Sequence, residues 1–131
     1  MIYAHVENYS NTIIEKHAEP YISLFKEIYP DKDIKDKSYS VTIIRWLIMY
    51  FLYQEKRINQ NRDINVTYIS IFFELKSHTT VTKAINMVDS YLENKKLLEN
   101  SDNEYKRKFF LFFYRFQMIF NKKKEVFVEI N

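Results

Sequence analysis

Residues 66–85 read VTYISIFFELKSHTTVTKAI and combine a short apolar run, a polar break and the start of a longer amphipathic pattern. The run is Val66–Phe73, the break is Glu74–Ser77, and the amphipathic pattern continues from His78 to about Leu98. Its apolar residues recur at the i, i+3, i+4, i+7 spacing of one helix face. They are Val81, Ala84, Ile85, Val88, Tyr91 and Leu92. A short helix, a turn and a longer helix with a polar first turn are typical of a helix-turn-helix.

Upstream of this segment, the apolar residues have the same helical spacing. Residues 13–28 predict one or two amphipathic helices that end before Pro30, and Pro20 marks either a break or a first-turn position. A strong helix is expected over Val41–Lys56, with Ser40 as its N-cap. Because this helix is apolar on most sides, we expect it at the centre of the core.

Downstream, Glu104–Phe120 predicts a last helix with phenylalanines along one side. These are Phe109, Phe112, Phe113, Phe116 and Phe120. A basic cluster, Lys122–Lys124, follows this helix, and the alternating apolar residues of Glu125–Asn131 predict a short strand or a tail. The expected fold is therefore an all-α, helix-turn-helix-containing domain of five to six helices.

The chain of 131 residues fits one compact domain, and no linker rich in Gly, Ser or Pro divides it. Within that domain we expect three parts. Residues 1–34 form an N-terminal helical segment that packs on the core. Residues 35–100 form the helix-turn-helix region, and residues 101–131 form the aromatic C-terminal helix and basic tail.

The composition excludes several kinds of site. With 0 Gly the chain cannot contain a Gly-rich phosphate loop, and with 0 Cys it has no disulfide, thiolate zinc site or thiol nucleophile. His5, His17 and His78 are scattered without a second ligand three or four residues away, so no metal is expected. Glu15 and Glu19 share a helix side, where solvated acids are commoner than a catalytic pair. We predict no enzymatic activity and no cofactor, and we expect His17 to be a half-buried, hydrogen-bonded histidine.

The net charge of +3 is unevenly distributed: residues 1–33 carry −3, residues 34–88 carry +4 and residues 89–131 carry +2. A basic middle segment can either contact phosphates or form a solvated face.

The N-terminal residues lack the basic start and apolar run of a secretory signal. The two most apolar stretches, Ile43–Tyr53 and Phe109–Phe120, are too short to span a bilayer. We therefore predict a cytoplasmic protein that does not span a membrane, and a membrane is not its expected partner.

The polar first turn of the helix that begins at His78 is the candidate site. Ser77 is placed to act as N-cap, and the free N–H groups at this end favour a phosphate. A recognition helix enters the major groove with its N-terminal residues, which contact base edges. The candidate base-facing residues are Ser77, His78, Thr79, Thr80, Thr82, Lys83 and Asn86. An ordinary capped helix start that binds nothing would have the same pattern.

Two segments of the chain resemble a known family. Residues 69–84, ISIFFELKSHTTVTKA, and residues 45–52, RWLIMYFL, are similar to the C-terminal DNA-binding domain of the bacterial replication initiator DnaA. The similarity covers about Lys35 to Leu98. It implies a helix-turn-helix that binds double-stranded DNA and a role connected with DNA replication.

The resemblance also implies roles for individual residues. His78, Thr79 and Thr80 would contact the major groove, and Ser77 stands where the family has an Asp that reads a base. Lys76 would face a phosphate, and Lys37, with Lys35, falls on a loop that enters the minor groove in the family. Glu74 and Leu75 replace two glycines of the family's turn, so one of them must adopt that backbone without glycine's freedom, at a cost of about 1 kcal/mol, or the turn is altered.

Further cations are candidates for phosphate or minor-groove contacts. They are Arg45, Arg57 and Arg62. For Arg45 the alternative is that it ties helices together.

The predicted function is that of a stand-alone, sequence-specific double-stranded DNA-binding domain without ATPase activity or bound nucleotide. The alternative is an α-helical protein-interaction or dimerisation module that keeps the helix-turn-helix shape without specific DNA binding. The phenylalanines of Glu104–Phe120 either close the core or form a homodimer interface, and a membrane-surface helix is a third interpretation. Replication, transcription and a phage-borne role all remain open.

Overall fold

The computed structural model describes residues 2–59, 64–96 and 102–130, with the side chains of residues 13–58, 64–96 and 102–125. These residues form five helices and no strand. The helices are α1 (Ile2–Ile28), α2 (Tyr39–Asn59), α3 (Val66–Phe72), α4 (His78–Glu93) and α5 (Glu104–Ile130). The predicted all-α class is confirmed. Within the described ranges, every helix falls short of the combined length and hydropathy that a membrane span requires.

The C-terminal prediction of a short strand is wrong, because α5 continues as a helix to Ile130. The residues after Phe120 include no proline or glycine that would stop the helix, and Lys122–Lys124 are good helix formers. The three apolar residues that alternate near the end of the chain do not outweigh this, because the described residues contain no strand with which they could pair.

The ends of three other helices also differ from the predictions. Helix α1 is a single helix, one of the two predicted alternatives, and ends at Ile28, but it begins at Ile2 rather than near residue 13, and Pro20 lies inside it instead of at a break or in a first turn. Helix α2 begins at Tyr39, so Ser40 lies inside its first turn and is not the N-cap. The carbonyl of Ser38 accepts the hydrogen bond of the Thr42 N–H at 2.9 Å at this end. Helix α4 ends at Glu93, and part of the longer prediction, residues 97–98, lies outside the described residues.

Helix α2 lies at the centre of the fold, as predicted. It packs against α1, α3, α4 and α5. Its residues Leu47, Ile48 and Leu52 are fully buried or nearly so. Burying side chains of this size stabilises the fold by about 1.5–3 kcal/mol each. One continuous cluster of buried side chains includes residues of all five helices.

The phenylalanine side of α5 closes this core. Phe109, Phe112 and Phe116 are fully buried, and Phe120 is 8% exposed. The Phe116 ring packs edge-on against the Tyr21 ring of α1, with 5.3 Å between ring centroids. A homodimer through α5 stays a prediction, but it has to use another face of the helix, because the phenylalanines are occupied inside the chain.

A buried carboxylate joins α1, α2 and α5. Glu55 is 2% exposed, and its side chain accepts a 2.7 Å hydrogen bond from the Tyr21 hydroxyl. His17 Nδ1 lies 2.9 Å from Glu55 Oε1, and Lys123 Nζ lies 3.0 Å from both carboxylate oxygens. Lys123 Nζ also donates to the His17 carbonyl at 2.6 Å. We call these four residues the Glu55 cluster.

The charges and the burial within the Glu55 cluster favour the neutral form of the Tyr21 side chain. Burial, with the adjacent Glu55 carboxylate, raises the pKa of Tyr21 well above its usual range. The Lys123 ammonium lies 4.7 Å from the centre of the Tyr21 ring, a cation–π distance. The prediction of a half-buried, hydrogen-bonded His17 is confirmed, since its side chain is 25% exposed and bonded to Glu55.

Candidate nucleic-acid interface

Helix α3 is short, and it packs against both α1 and α4. Its N-cap is Asn65, whose side chain accepts a 2.9 Å hydrogen bond from the Tyr68 N–H. Ile69 and Ser70 are buried, and the helix packs against α1 and α4. Helix α3 therefore fixes the position of the turn that follows it and of the first residues of α4.

The turn between α3 and α4 is closed by main-chain hydrogen bonds. The Glu74 N–H donates to the Ile71 carbonyl at 3.0 Å, and the Leu75 N–H donates to the Ser70 carbonyl at 2.9 Å. Glu74 has φ of 58°, and it is the one residue with positive φ in the described part of the chain. Of the two residues expected to take the glycine role in this turn, Glu74 is therefore the one that does so.

We expect the Glu74→Gly variant to be more stable than Glu74→Gln by about 1 kcal/mol, because only glycine adopts this backbone without a steric cost. Both variants remove the ion pair of Glu74, so their difference isolates the backbone contribution. Urea unfolding followed by circular dichroism measures it. Equal midpoints for the two variants would show that the turn carries no such cost.

The first turn of α4 is capped and open to solvent. Ser77 has an extended backbone, and its hydroxyl oxygen accepts a 3.1 Å hydrogen bond from the Thr79 N–H. The predicted N-cap is thus confirmed. His78, Thr79 and Thr80 are all exposed, as is Lys76 before the cap. Since the positive end of the helix dipole lies here, this end of α4 favours an anionic ligand.

Helix α4 separates an apolar face from a polar one. Four residues predicted for its core face are buried; they are Val81, Ala84, Ile85 and Val88. Tyr91 and Leu92, predicted with them, are only partly buried. Burial, with a hydrogen bond to Tyr39, raises the pKa of Tyr91 to about 12.

The face opposite the core carries four exposed residues: Thr79, Lys83, Asn86 and Ser90, which we call the polar stripe. At 100° per residue these positions lie on one line along the helix. Thr82 is exposed at the edge of the stripe, and its hydroxyl donates to the His78 carbonyl at 3.4 Å. Ser90 is absent from the sequence-based candidates, although its spacing from Asn86 could have indicated it. No acidic residue occurs between Glu74 and Asp89.

The loop between α1 and α2 lies against the turn before α4; residues 29–38 carry three Lys and three Asp and so have no net charge. Lys35, in the loop between α1 and α2, has its Nζ 3.1 Å from Glu74 Oε1. Both side chains are exposed, so the pair is worth little to stability. It nevertheless places Lys35 beside the turn that precedes Lys76 and Ser77. Lys37, two residues further along the same loop, is also exposed.

Arg45 binds the loop between α1 and α2 rather than extending into solvent. Its guanidinium donates to the carbonyls of Ile34 and Asp36 at 2.8 and 2.9 Å, and to the Thr42 hydroxyl at 3.2 Å. Burial lowers the pKa of Arg45, and hydrogen bonding by Ser38 lowers the pKa of Asp36. The structure therefore places Arg45 as a link between α2 and the loop, whereas the predicted alternative to a phosphate contact was a link between helices.

Of the two remaining predicted cations, the structure describes Arg57, and it is not brought to this region. Arg57 is exposed in the last turn of α2, about 18 Å along the helix from Arg45 at 1.5 Å per residue. Arg62 lies outside the described residues. The structure thus assembles the first turn of α4, the polar stripe and the loop with Lys35 and Lys37, and it leaves Arg57 apart.

The described residues contain no group of three His, Cys, Asp or Glu side chains arranged as metal ligands. The exposed side chains at the start of α4 are hydroxyls, an imidazole and an ammonium, which can donate and accept hydrogen bonds or pair with phosphate.

In comparisons with known proteins, no family model, curated protein or solved structure matches this chain.

Proposed function

We propose that this chain is a sequence-specific double-stranded DNA-binding domain, in which α3, the turn and α4 act as a helix-turn-helix. Helix α4 is the recognition helix. The observation that carries the proposal is the capped start of α4, where His78, Thr79 and Thr80 are exposed, with the acid-free polar stripe behind it. The domain acts by binding alone, without nucleotide or ATPase activity.

In this proposal, α4 enters the major groove with its first turn. His78 and Thr79 contact base edges there, because the first residues of a recognition helix reach deepest. Lys83 and Asn86 follow at helical spacing on the same side, and asparagine pairs with adenine through two hydrogen bonds while lysine donates to guanine. Thr80 and Thr82 lie on either side of this line and contact the groove walls.

Phosphates are contacted from two segments. Lys76 and the N-terminus of α4 meet one strand, since both present positive charge at the same point. Lys35 and Lys37 approach the neighbouring groove from the loop. The ion pair between Lys35 and Glu74 is exposed on both sides, so a phosphate can replace the carboxylate as the partner of Lys35 at little cost.

The resemblance to the DnaA C-terminal domain supports the same arrangement and suggests a role in replication. In that family the equivalent segments are the recognition helix and the loop that enters the minor groove. The contact between Lys35 and Glu74 is consistent with that arrangement, because it places the loop with Lys35 beside the turn that precedes α4.

Fluorescence anisotropy tests the proposal. The wild-type chain is titrated against a labelled DnaA-box duplex and a scrambled duplex, each at two salt concentrations. We expect the box to be preferred, and the double variant His78→Ala/Thr79→Ala to reduce its affinity roughly tenfold to hundredfold, down to that of the scrambled duplex. No binding to either duplex at low salt would disprove DNA binding.

A matched pair of lysine variants separates phosphate contacts from base contacts. Lys76→Ala is expected to weaken binding to both duplexes equally and to reduce the salt slope by about 1. Lys16→Ala removes the same charge from an exposed position on α1, and we expect it to change neither value. If the two variants weaken binding equally, the interaction with DNA is a nonspecific attraction between net charges.

The alternative function is an α-helical protein-interaction or dimerisation module. The observation that favours it is the exposure of Leu111 and Met118 on α5, at 53% and 64%. Large exposed apolar side chains that lie together are typical of protein contact sites. A chain that binds no duplex but associates through α5 would support this alternative over DNA binding.

A further inference from the structure

The outer face of α5 combines apolar and basic side chains. Leu111, Arg115, Met118 and Lys122 lie along one line of the helix, opposite the buried phenylalanines, and all four are exposed. We call them the α5 patch. Arg115, Met118 and Lys122 border a shallow depression of about 190 Å³, which Leu24 of α1 also lines. Arg115 and Lys122 form no ion pair with any residue in the described part of the chain.

A groove of about 360 Å³ lies between α1, the loop after it and α3. Its apolar lining consists of Ile22, Ile34 and Phe72, and its acidic side chains are Glu15, Glu19 and Asp33. We call these six residues the α1 groove. Ser23 and Lys26 also line it, and the Ser23 hydroxyl donates to Glu19 at 2.9 Å.

The α5 patch and the α1 groove lie on different sides of α1. Leu24 borders the depression at the patch, and Ile22 lines the groove. Ile22 and Leu24 are two residues apart, so their side chains leave α1 in directions that differ by about 200°. One copy of the chain therefore presents the groove in one direction and the patch in nearly the opposite direction.

We propose that the α1 groove of one copy binds the α5 patch of a second copy. Leu111 and Met118 pack on the apolar lining of the groove. Arg115 and Lys122 then lie close to its carboxylates, so that apolar area and opposite charges are matched in one contact. The α5 patch and the α1 groove are complementary, and every copy of the chain carries both. A second copy is therefore the partner that we propose for the groove.

The contact is heterologous, because two different surfaces meet in it. Each dimer formed in this way leaves one groove and one patch open, so further copies can add at both ends. The two surfaces are small, so the association is weak and depends on concentration. Neither surface includes a residue of the polar stripe of α4, so this inference stands independently of DNA binding.

Sedimentation equilibrium tests the proposal with the full chain over a wide concentration range at low and high salt. The weight-average mass of the wild-type chain is expected to rise with concentration at low salt and to fall back towards 16.1 kDa at high salt, because salt screens the charge contacts. A wild-type mass that stays at that of one chain overturns the proposal. Association that salt strengthens or leaves unchanged also overturns it.

Two variants that each lack one surface make the test specific. Glu15→Lys/Glu19→Lys reverses charge in the groove and keeps the patch, whereas Arg115→Ala/Met118→Ala removes half of the patch and keeps the groove. Each variant alone is expected to remain monomeric. Their equimolar mixture retains one intact groove and one intact patch, and it is expected to form a dimer that does not grow further.

Controls distinguish this contact from others. Glu27→Lys changes charge at an exposed position of α1 that does not line the groove, and it should associate like the wild-type chain. Circular dichroism checks that each variant is folded, which is expected because every substituted side chain is exposed. A groove variant that still self-associates would point to a symmetric contact of α5 with itself and would overturn the proposal, as would a mixture that stays monomeric.

Discussion

Replacing Lys123 with methionine is expected to lower the free energy of unfolding by about 3 kcal/mol, because it leaves the buried Glu55 carboxylate without its ammonium partner. Lys123 Nζ lies 3.0 Å from both oxygens of a side chain that is 2% exposed. Glu55 keeps the hydrogen bond from Tyr21 and the contact with His17. The expected loss therefore lies at the lower end of the range for a broken buried pair.

Urea unfolding of Lys123→Met beside Lys124→Met measures this effect. Lys124 is exposed one residue further along α5, beside the same small cavity as Glu55, so its variant removes the same charge from the same region and keeps the bond between Lys123 and Glu55. The double variant Glu55→Gln/Lys123→Met should recover part of the loss, since it removes the unpaired buried charge. If the variants at Lys123 and Lys124 unfold at the same urea concentration, the contact between Lys123 and Glu55 contributes nothing specific to stability.

The Phe116→Ala variant is expected to lower the free energy of unfolding by about 3–5 kcal/mol, because it leaves a cavity in the middle of the core. Phe116 is fully buried, and its ring lies 5.3 Å from the Tyr21 ring and 5.6 Å from the Phe112 ring, between centroids. The contact with Tyr21 joins α1 to α5, the contact with Phe112 lies within α5, and both are lost together.

Met118→Ala is the matched control, two residues away on the opposite side of α5. Met118 is 64% exposed, so we expect its replacement to change stability by no more than about 0.5 kcal/mol. Thermal unfolding at low protein concentration compares the two variants without a contribution from association. Equal destabilisation would contradict the placement of the phenylalanines inside the core and would favour them as an interface.

The two faces of α5 therefore have different uses. The phenylalanine face is structural, and the α5 patch on the other side is available to a partner. The apolar spacing of residues 104–120 predicts the first face but does not distinguish a core from an interface, since both bury phenylalanines. Burial against Tyr21 and α2 resolves this point.

The candidate DNA-binding surface was largely predictable because it is built from consecutive residues. Ser77 caps α4 through a contact with Thr79, and both belong to one turn of the chain. The errors occurred at helix ends. Ser40 is a residue type that often caps helices, but α2 begins one residue earlier, at Tyr39. The alternating apolar residues near the C-terminus are typical of a strand, but they belong to a helix that continues to Ile130. Local propensity specifies such ends weakly.

The sequence by itself determined the helical class, the buried face of α4 and its capped first turn, because these depend on spacings of a few residues. Only the tertiary structure decided which charged groups meet. Lys123 bonds to the carbonyl of His17 across 106 positions, and Lys35 reaches Glu74 from a different loop. Such pairs leave no periodic pattern in the sequence, since they arise when packed helices bring distant side chains together.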